Sequence, residues 1–214
     1  MAHSLLLFNA LPSQLLHASR WAALLPLGKP AEISEKQWHR HGSALLLPDL
    51  DQDPVLSLDH PALPLAMLPE SVFNQLLLWG GALLLAPSIR RVISRAEVRE
   101  INQQLGQDAV NFALHQAPTL LKISFESQVS FNFSAGQSRA AALSLGAALL
   151  AAAFASAPRG IAQRGLLRLP IEDTVNARVL PAAEFKNTVQ ALAVARSITD
   201  LLEPQWLSSF PTPP

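Results

Sequence analysis

QLLLWGGALLLAPSIRRVISRAEVR, residues 75–99, changes character within one turn of chain. An apolar block reaches Leu85, Pro87 follows, and Arg90, Arg91, Arg95 and Arg99 then arrive within ten residues. In a chain with only 15% charged residues, this is core material ending on a basic surface. Pro69 sits well for a helix start and Glu70 complements the dipole in its first turn, so a helix is predicted from there to about Ala86. Val72–Ile89 carries no charge, and neither does Ala140–Ala157. Each is close to the ~18–20 residues that span a bilayer. Asn74, Gln75 and Gly80–Gly81 interrupt the first, alanine dominates the second, and neither has an aromatic belt or a strong Lys/Arg asymmetry. Both are read as buried core helices, with Gly80–Gly81 serving close packing or a kink.

Working outward, Pro12–Trp21 reads as a short helix with Leu15, Leu16 and Trp21 facing inward. Ile33–Leu47 is a second helix, ended before Pro48. Residues 48–69 hold prolines at 48, 54, 61, 64 and 69 and four aspartates, a density no helix runs through. They are expected to form a linker over the surface, which divides the chain into 1–68, a main helical domain 69–210 and a loose tail 211–214. C-terminal to the opening stretch, Ser94-Arg95-Ala96-Glu97 matches a capping box. The helix it opens places Val98, Ile101 and Leu105 inside and Arg95, Arg99 and Gln103 outside, and Gly106 ends it. Asp108–Gln116 is a further helix, stopped by Pro118.

At residues 120–133, Ile123, Phe125, Val129, Phe131 and Phe133 alternate with polar residues, which argues for one or two strands. Gly165–Pro170 is a second strand candidate. Ser138–Phe154 is an alanine-rich helix whose small side chains let neighbours approach, so a central position is expected. Pro181–Leu202 is the last long helix, with Phe185, Val189, Leu192, Ala195, Ile198 and Leu202 buried and Lys186, Gln190 and Arg196 opposite. The fold class expected is mainly α (α+β): a compact helical domain with a small β element.

Composition narrows the function. Lys+Arg and Asp+Glu both number 16, so the net charge is zero, which argues against nucleic-acid binding and favours association. There is no cysteine, hence no disulfide, thiolate metal site or cysteine nucleophile, as fits a cytosolic protein. The N-terminal apolar run stops at Phe8 and Asn9 without a basic region ahead of it, so no export signal is read.

The candidates for chemistry fail one by one. His39 and His41 stand at i, i+2 and diverge on a helix, unlike ligands at i, i+4. Asp49-Leu50-Asp51-Gln52-Asp53 opens like a calcium loop, but Pro54 occupies the glycine position and His60 the glutamate position. Gly80–Gly81 lacks the setting of a phosphate loop. Ser134-Ala135-Gly136-Gln137-Ser138 is not a nucleophile turn, and reads as a loop with a capping serine. Glu172-Asp173 is ordinary surface after Pro170. No catalytic, cofactor-binding or metal-binding residues are assigned. Arg90, Arg91, Arg95 and Arg99 remain, either as a solvated face with intrahelical pairs or as a docking site for an acidic protein surface.

The order of an apolar helix ending in -SIRRVI-, a polar helix pair, an alanine-rich helix after Ser138-Arg139, RGLLRLPI at 164–171 and a closing helix at 185–202 resembles the SctK (YscK-like) family of type III secretion. The likeness covers roughly residues 70–205. Arg90, Arg91 and the strand Leu166–Leu169 match recurrent family features. The resemblance implies a non-enzymatic adaptor of the injectisome's sorting platform, cytoplasmic and held at the inner membrane's cytoplasmic face when assembled. It implies as partners the cytoplasmic domain of the ring protein SctD and the scaffold SctQ, and indirectly SctL and the SctN ATPase. No cofactor, nucleic acid or direct membrane insertion is implied. The alternatives are a small hydrolase or transferase with dispersed residues around Ser134 or Ser138, and an inner-membrane subunit using 72–89 and 140–157.

Overall fold

A computed structural model describes residues 2–50, 53–124, 137–171 and 187–211. In chain order the helices are α1 (Ala2–Ala10), α2 (Ala18–Leu24), α3 (Glu35–Leu50), α4 (Leu63–Ala66), α5 (Glu70–Ile89), α6 (Arg95–Leu105), α7 (Gln107–His115), α8 (Ala117–Ser124), α9 (Ser138–Ala155), α10 (Arg159–Leu167), α11 (Thr188–Leu202) and α12 (Pro204–Ser208). A 3-10 turn, Pro12–Leu15, joins α1 to α2. The described residues contain no strand, and the fold is mainly α as expected.

The centre is the α5–α9 pair, with α11 against both and α7 on the outer side of α5. The two apolar helices lie so close that their backbones touch. A Cβ on Gly81 would sit 1.7 Å from the Ala142 carbonyl oxygen, and one on Gly146 would sit 1.8 Å from that of Leu77. Only glycine allows that approach at these two positions. Leu76, Leu83, Leu85, Leu149, Leu150 and Phe154 close the core around the crossing. Both helices are long and apolar enough to cross a membrane; 67% of the apolar window of α5 and 50% of that of α9 are buried inside the protein.

Three prolines behave differently from the expectation. Pro48 and Pro87 lie within the last turns of α3 and α5, which continue to Leu50 and Ile89. A proline removes one backbone donor, and each continuation places an apolar side chain, Leu50 or Ile89, in a buried position. Pro118 occupies the first turn of α8, where its missing N–H has no helical partner to lose. The stretch 48–69 also departs from a surface linker: Ala62, Leu63, Pro64, Leu65 and Ala66 are fully or nearly fully buried, in the same core as Phe8 and Phe73.

Gly165–Pro170 is not a strand. α10 covers Arg159–Leu167 and a turn follows. The short alternation in RGLLRLP conceals a helical face, since Gly160, Ile161, Arg164 and Gly165 are the buried residues of α10, with Arg168 and Leu169 buried in the turn after it. Residues 120–124 belong to α8, and the rest of the other predicted strand, 125–133, lies outside the described residues. Phe185, Lys186 and the start predicted at Pro181 do too; α11 begins at Thr188, with the Asn187 side chain accepting from the Gln190 N–H at 3.1 Å. On α11, Val189 is 69% exposed, whereas Leu192, Ala195 and Ile198 are buried as predicted.

Candidate partner-binding surface

The arginines of the opening stretch sit where α5 ends and α6 begins. Pro87 brings α5 to its end at Ile89, a turn carries Arg90 and Arg91, and α6 starts at Arg95. Ser94 holds the extended N-cap conformation but its hydroxyl makes no capping bond, so the capping box is not formed. Gly106, at φ +84, ends α6 and turns directly into α7. Ile101 and Leu105 fasten α6 to the core; Val98, predicted inside, is 41% exposed.

Arg90, Arg91, Arg95 and Arg99 are all exposed, and they divide into two kinds. Arg90 donates to the Leu114 carbonyl in the last turn of α7, which ties the end of α5 to that helix. No side-chain hydrogen bond or ion pair among the described residues engages Arg91, Arg95 or Arg99. Glu100 accepts from Gln104 Nε2 at 3.0 Å. Ile93, between the two arginine pairs, is 93% exposed.

A second set of arginines was not anticipated. Arg164, fully buried, donates from Nη1 to the carbonyls of Gly160 at 3.0 Å and Asp53 at 3.2 Å, and from Nη2 to that of Leu50 at 3.3 Å. Arg168, also buried, donates to the Ala66 carbonyl at 2.8 Å and lies over the Phe73 ring at 3.9 Å. Burial pulls the Arg168 guanidinium down to about 10, against the opposing pull of the Glu70 carboxylate. Arg196, predicted outside, is half-buried and donates to the Pro61 carbonyl at 2.7 Å. Asn9 pairs with both backbone groups of Val55, and the Trp206 indole donates to the Pro64 carbonyl at 2.9 Å. The i, i+4 spacing of Arg164 and Arg168 beside Gly160, Ile161 and Gly165 was the available signal: it puts both cations on the buried face of one helix.

The other sequence candidates fall apart in space. His39 is half-buried, edge-on to Trp21 at 5.7 Å and 3.3 Å from the Ser13 hydroxyl, while His41 is exposed. The Asp53 carboxylate faces Arg159 at 3.4 Å. Ser138 is buried at the first turn of α9; Ser134, Glu172 and Asp173 lie outside the described residues. Among the described residues, no three metal-ligating side chains come together. An open groove of about 830 Å³ lies between α5, the α6–α7 turn and α11, lined by Trp79 stacked on Phe112, by Leu202, and by Asp108 and His115 among its polar groups.

No curated protein matches the chain. The cytoplasmic domain of the type III secretion sorting-platform protein PscK from P. aeruginosa has a similar fold, with a TM-score of 0.62 and 22% identity over 95% of this chain and 96% of that one. A family described as "YOP proteins translocation protein K (YscK)" matches residues 6–201, nearly the whole chain. The resemblance carried by -SIRRVI- and -RGLLRLPI- is thereby met, and reaches further toward the N-terminus than those motifs did: the chain belongs to the YscK family.

Proposed function

We propose that this protein is an adaptor of the type III secretion sorting platform, working in the cytoplasm against the inner membrane. In this reading it joins the cytoplasmic domain of the ring protein SctD to the scaffold SctQ, and through SctQ reaches SctL and the SctN ATPase. The family match over residues 6–201 carries the proposal. A helical body that leaves Arg91, Arg95 and Arg99 facing solvent supports it, as a docking surface for an acidic protein requires. α5 and α9 serve as core helices in this reading, since their closest neighbours are each other.

Co-purification of the full chain with the SctD cytoplasmic domain and with SctQ, singly and together, tests the link. A ternary complex is expected, and failure to bind either partner removes it. Alkaline extraction of membranes should release the protein without detergent; retention until detergent is added returns α5 and α9 to the bilayer.

A further inference from the structure

On α6, Arg95, Val98, Arg99 and Asn102 fall at i, i+3, i+4 and i+7 and form one continuous stripe. At 100° per residue, Glu97 and Glu100 lie on the flank away from Val98. On that flank Glu100 is engaged within the protein. Gln104 Nε2 donates to the Glu100 carboxylate, and Arg139 Nη1 donates to the Gln104 carbonyl at 3.1 Å. The Asn102 amide donates back to the Val98 carbonyl at 2.9 Å, so it does not compete for a ligand. Two cations with an aliphatic side chain between them are therefore presented with no ion-pair partner among the described residues, and the exposed Ile93 adds an apolar side chain in the turn ahead of them.

We infer that this corner takes an acidic amphipathic segment of a platform partner, with carboxylates meeting Arg95 and Arg99 and an aliphatic side chain laid on Val98 and Ile93. The inference rests on the adaptor reading above and specifies its chemistry. Planar guanidiniums match carboxylates bidentately. The chain is neutral overall, so this positive field is local and selects a local acidic feature. A lipid surface fits less well, because the strip lacks the Trp or Tyr that favours a headgroup interface. Arg90 lies outside the docking set, since it holds α7.

The test uses the full chain, with the SctD cytoplasmic domain and SctQ as separate probes, and reads affinity at low and high salt. Arg95→Glu/Arg99→Glu should weaken one of the two by roughly 30-fold or more and flatten its salt dependence. Ile93→Ser should weaken the same partner about tenfold with the salt dependence retained. Neither variant should move Tm by more than about 2 °C, as expected for surface changes. Wild-type affinity for both partners in the double variant overturns the inference and leaves the adaptor reading standing. Binding to neither partner by the wild type removes the adaptor reading and the inference with it. Sedimentation with phosphatidylglycerol vesicles that only the double variant loses assigns the corner to lipid and likewise overturns it.

Discussion

The proline-rich segment around residues 53–66 and the corner around residues 90–99 both depend on arginine, and they use it in opposite ways. Proline carries a carbonyl but no N–H, so Pro54, Pro61 and Pro64 leave their segment with more acceptors than donors. The donors come from far along the chain: Asn9, Arg164, Arg168, Arg196 and Trp206 reach carbonyls between Leu50 and Ala66. One guanidinium satisfies several carbonyls at once, which explains arginines here with few carboxylates to match. At the corner, Arg90 alone follows that pattern. Arg91, Arg95 and Arg99 meet solvent, and no carbonyl among the described residues accepts from their side chains. The corner arginines contrast with Arg164 and Arg168, whose guanidiniums reach backbone carbonyls.

The largest expected effect removes the support both regions share. α5 starts after the proline-rich segment and ends at the corner, and its position is fixed by contact with α9. Gly81→Val forces a side chain into the Ala142 backbone, where a Cβ has only 1.7 Å. A loss of about 4 kcal/mol or more is expected, seen as expression in inclusion bodies or a non-cooperative melt. A soluble variant melting like wild type would show that the two helices are free to separate.

Next in size, Arg168→Ala strands the Ala66 carbonyl and opens a cavity beside Phe73. Roughly 3 kcal/mol is expected, a fall in Tm of about 6–12 °C by differential scanning calorimetry. Arg168→Met sharpens the point. With its folded value held near 10, below the ordinary arginine value, Arg168 binds its proton more weakly in the native state than in the unfolded chain. The cost of that buried charge is fully present at neutral pH and would be relieved only as pH rises through about 10 toward the ordinary arginine value. Methionine fills the space without the charge, so Arg168→Met should cost at least ~1 kcal/mol less than Arg168→Ala in urea unfolding. Arg90→Ala, which loses one exposed hydrogen bond, should cost at most about 1 kcal/mol.

The same contrast explains what could be read from the sequence. The lengths of α5 and α9, the start at Pro69–Glu70 and the packing role of the glycine pair follow from periodicity and side-chain size, which are local properties. The failures lie where a tertiary partner decides. Pro48, Pro87 and Pro118 look like stops until their places in first or last turns are known. GLLRLP, residues 165–170, looks like a strand because six residues cannot separate a period of 2 from one of 3.6. Arg164 and Arg168 look like surface because their acceptors lie about 100 residues earlier. At the corner, Arg91, Arg95 and Arg99 have no distant acceptor among the described residues, so the sequence and the structure leave them alike at the surface, whereas the tie made by Arg90 needed the position of α7.

Acid should loosen the proline-rich side through two histidines that act as acceptors, and this is the smallest of the expected effects. His17 caps α2, its Nδ1 accepting from the Ser19 N–H at 3.2 Å, and His60 Nδ1 accepts from the Ala62 N–H at the same distance. Burial lowers both below the ordinary 6.5; at His17 the Arg20 cation adds to this and the Glu70 carboxylate opposes it. A lowered folded value means that the unfolded chain takes up the proton first. The stability from each neutral imidazole is therefore complete above pH 6.5 and is lost as pH falls through the folded value. The His17 cap contributes about 0.5 kcal/mol. Melting between about pH 7.5 and 5 should show this loss, and His17→Asn, which keeps an acceptor that does not titrate, should remove part of it. An unchanged slope in His17→Asn would move the acid sensitivity away from the α2 cap. Partner binding at the arginine corner should hold across the same range wherever the fold survives, because no acceptor histidine supports Arg95 or Arg99 among the described residues.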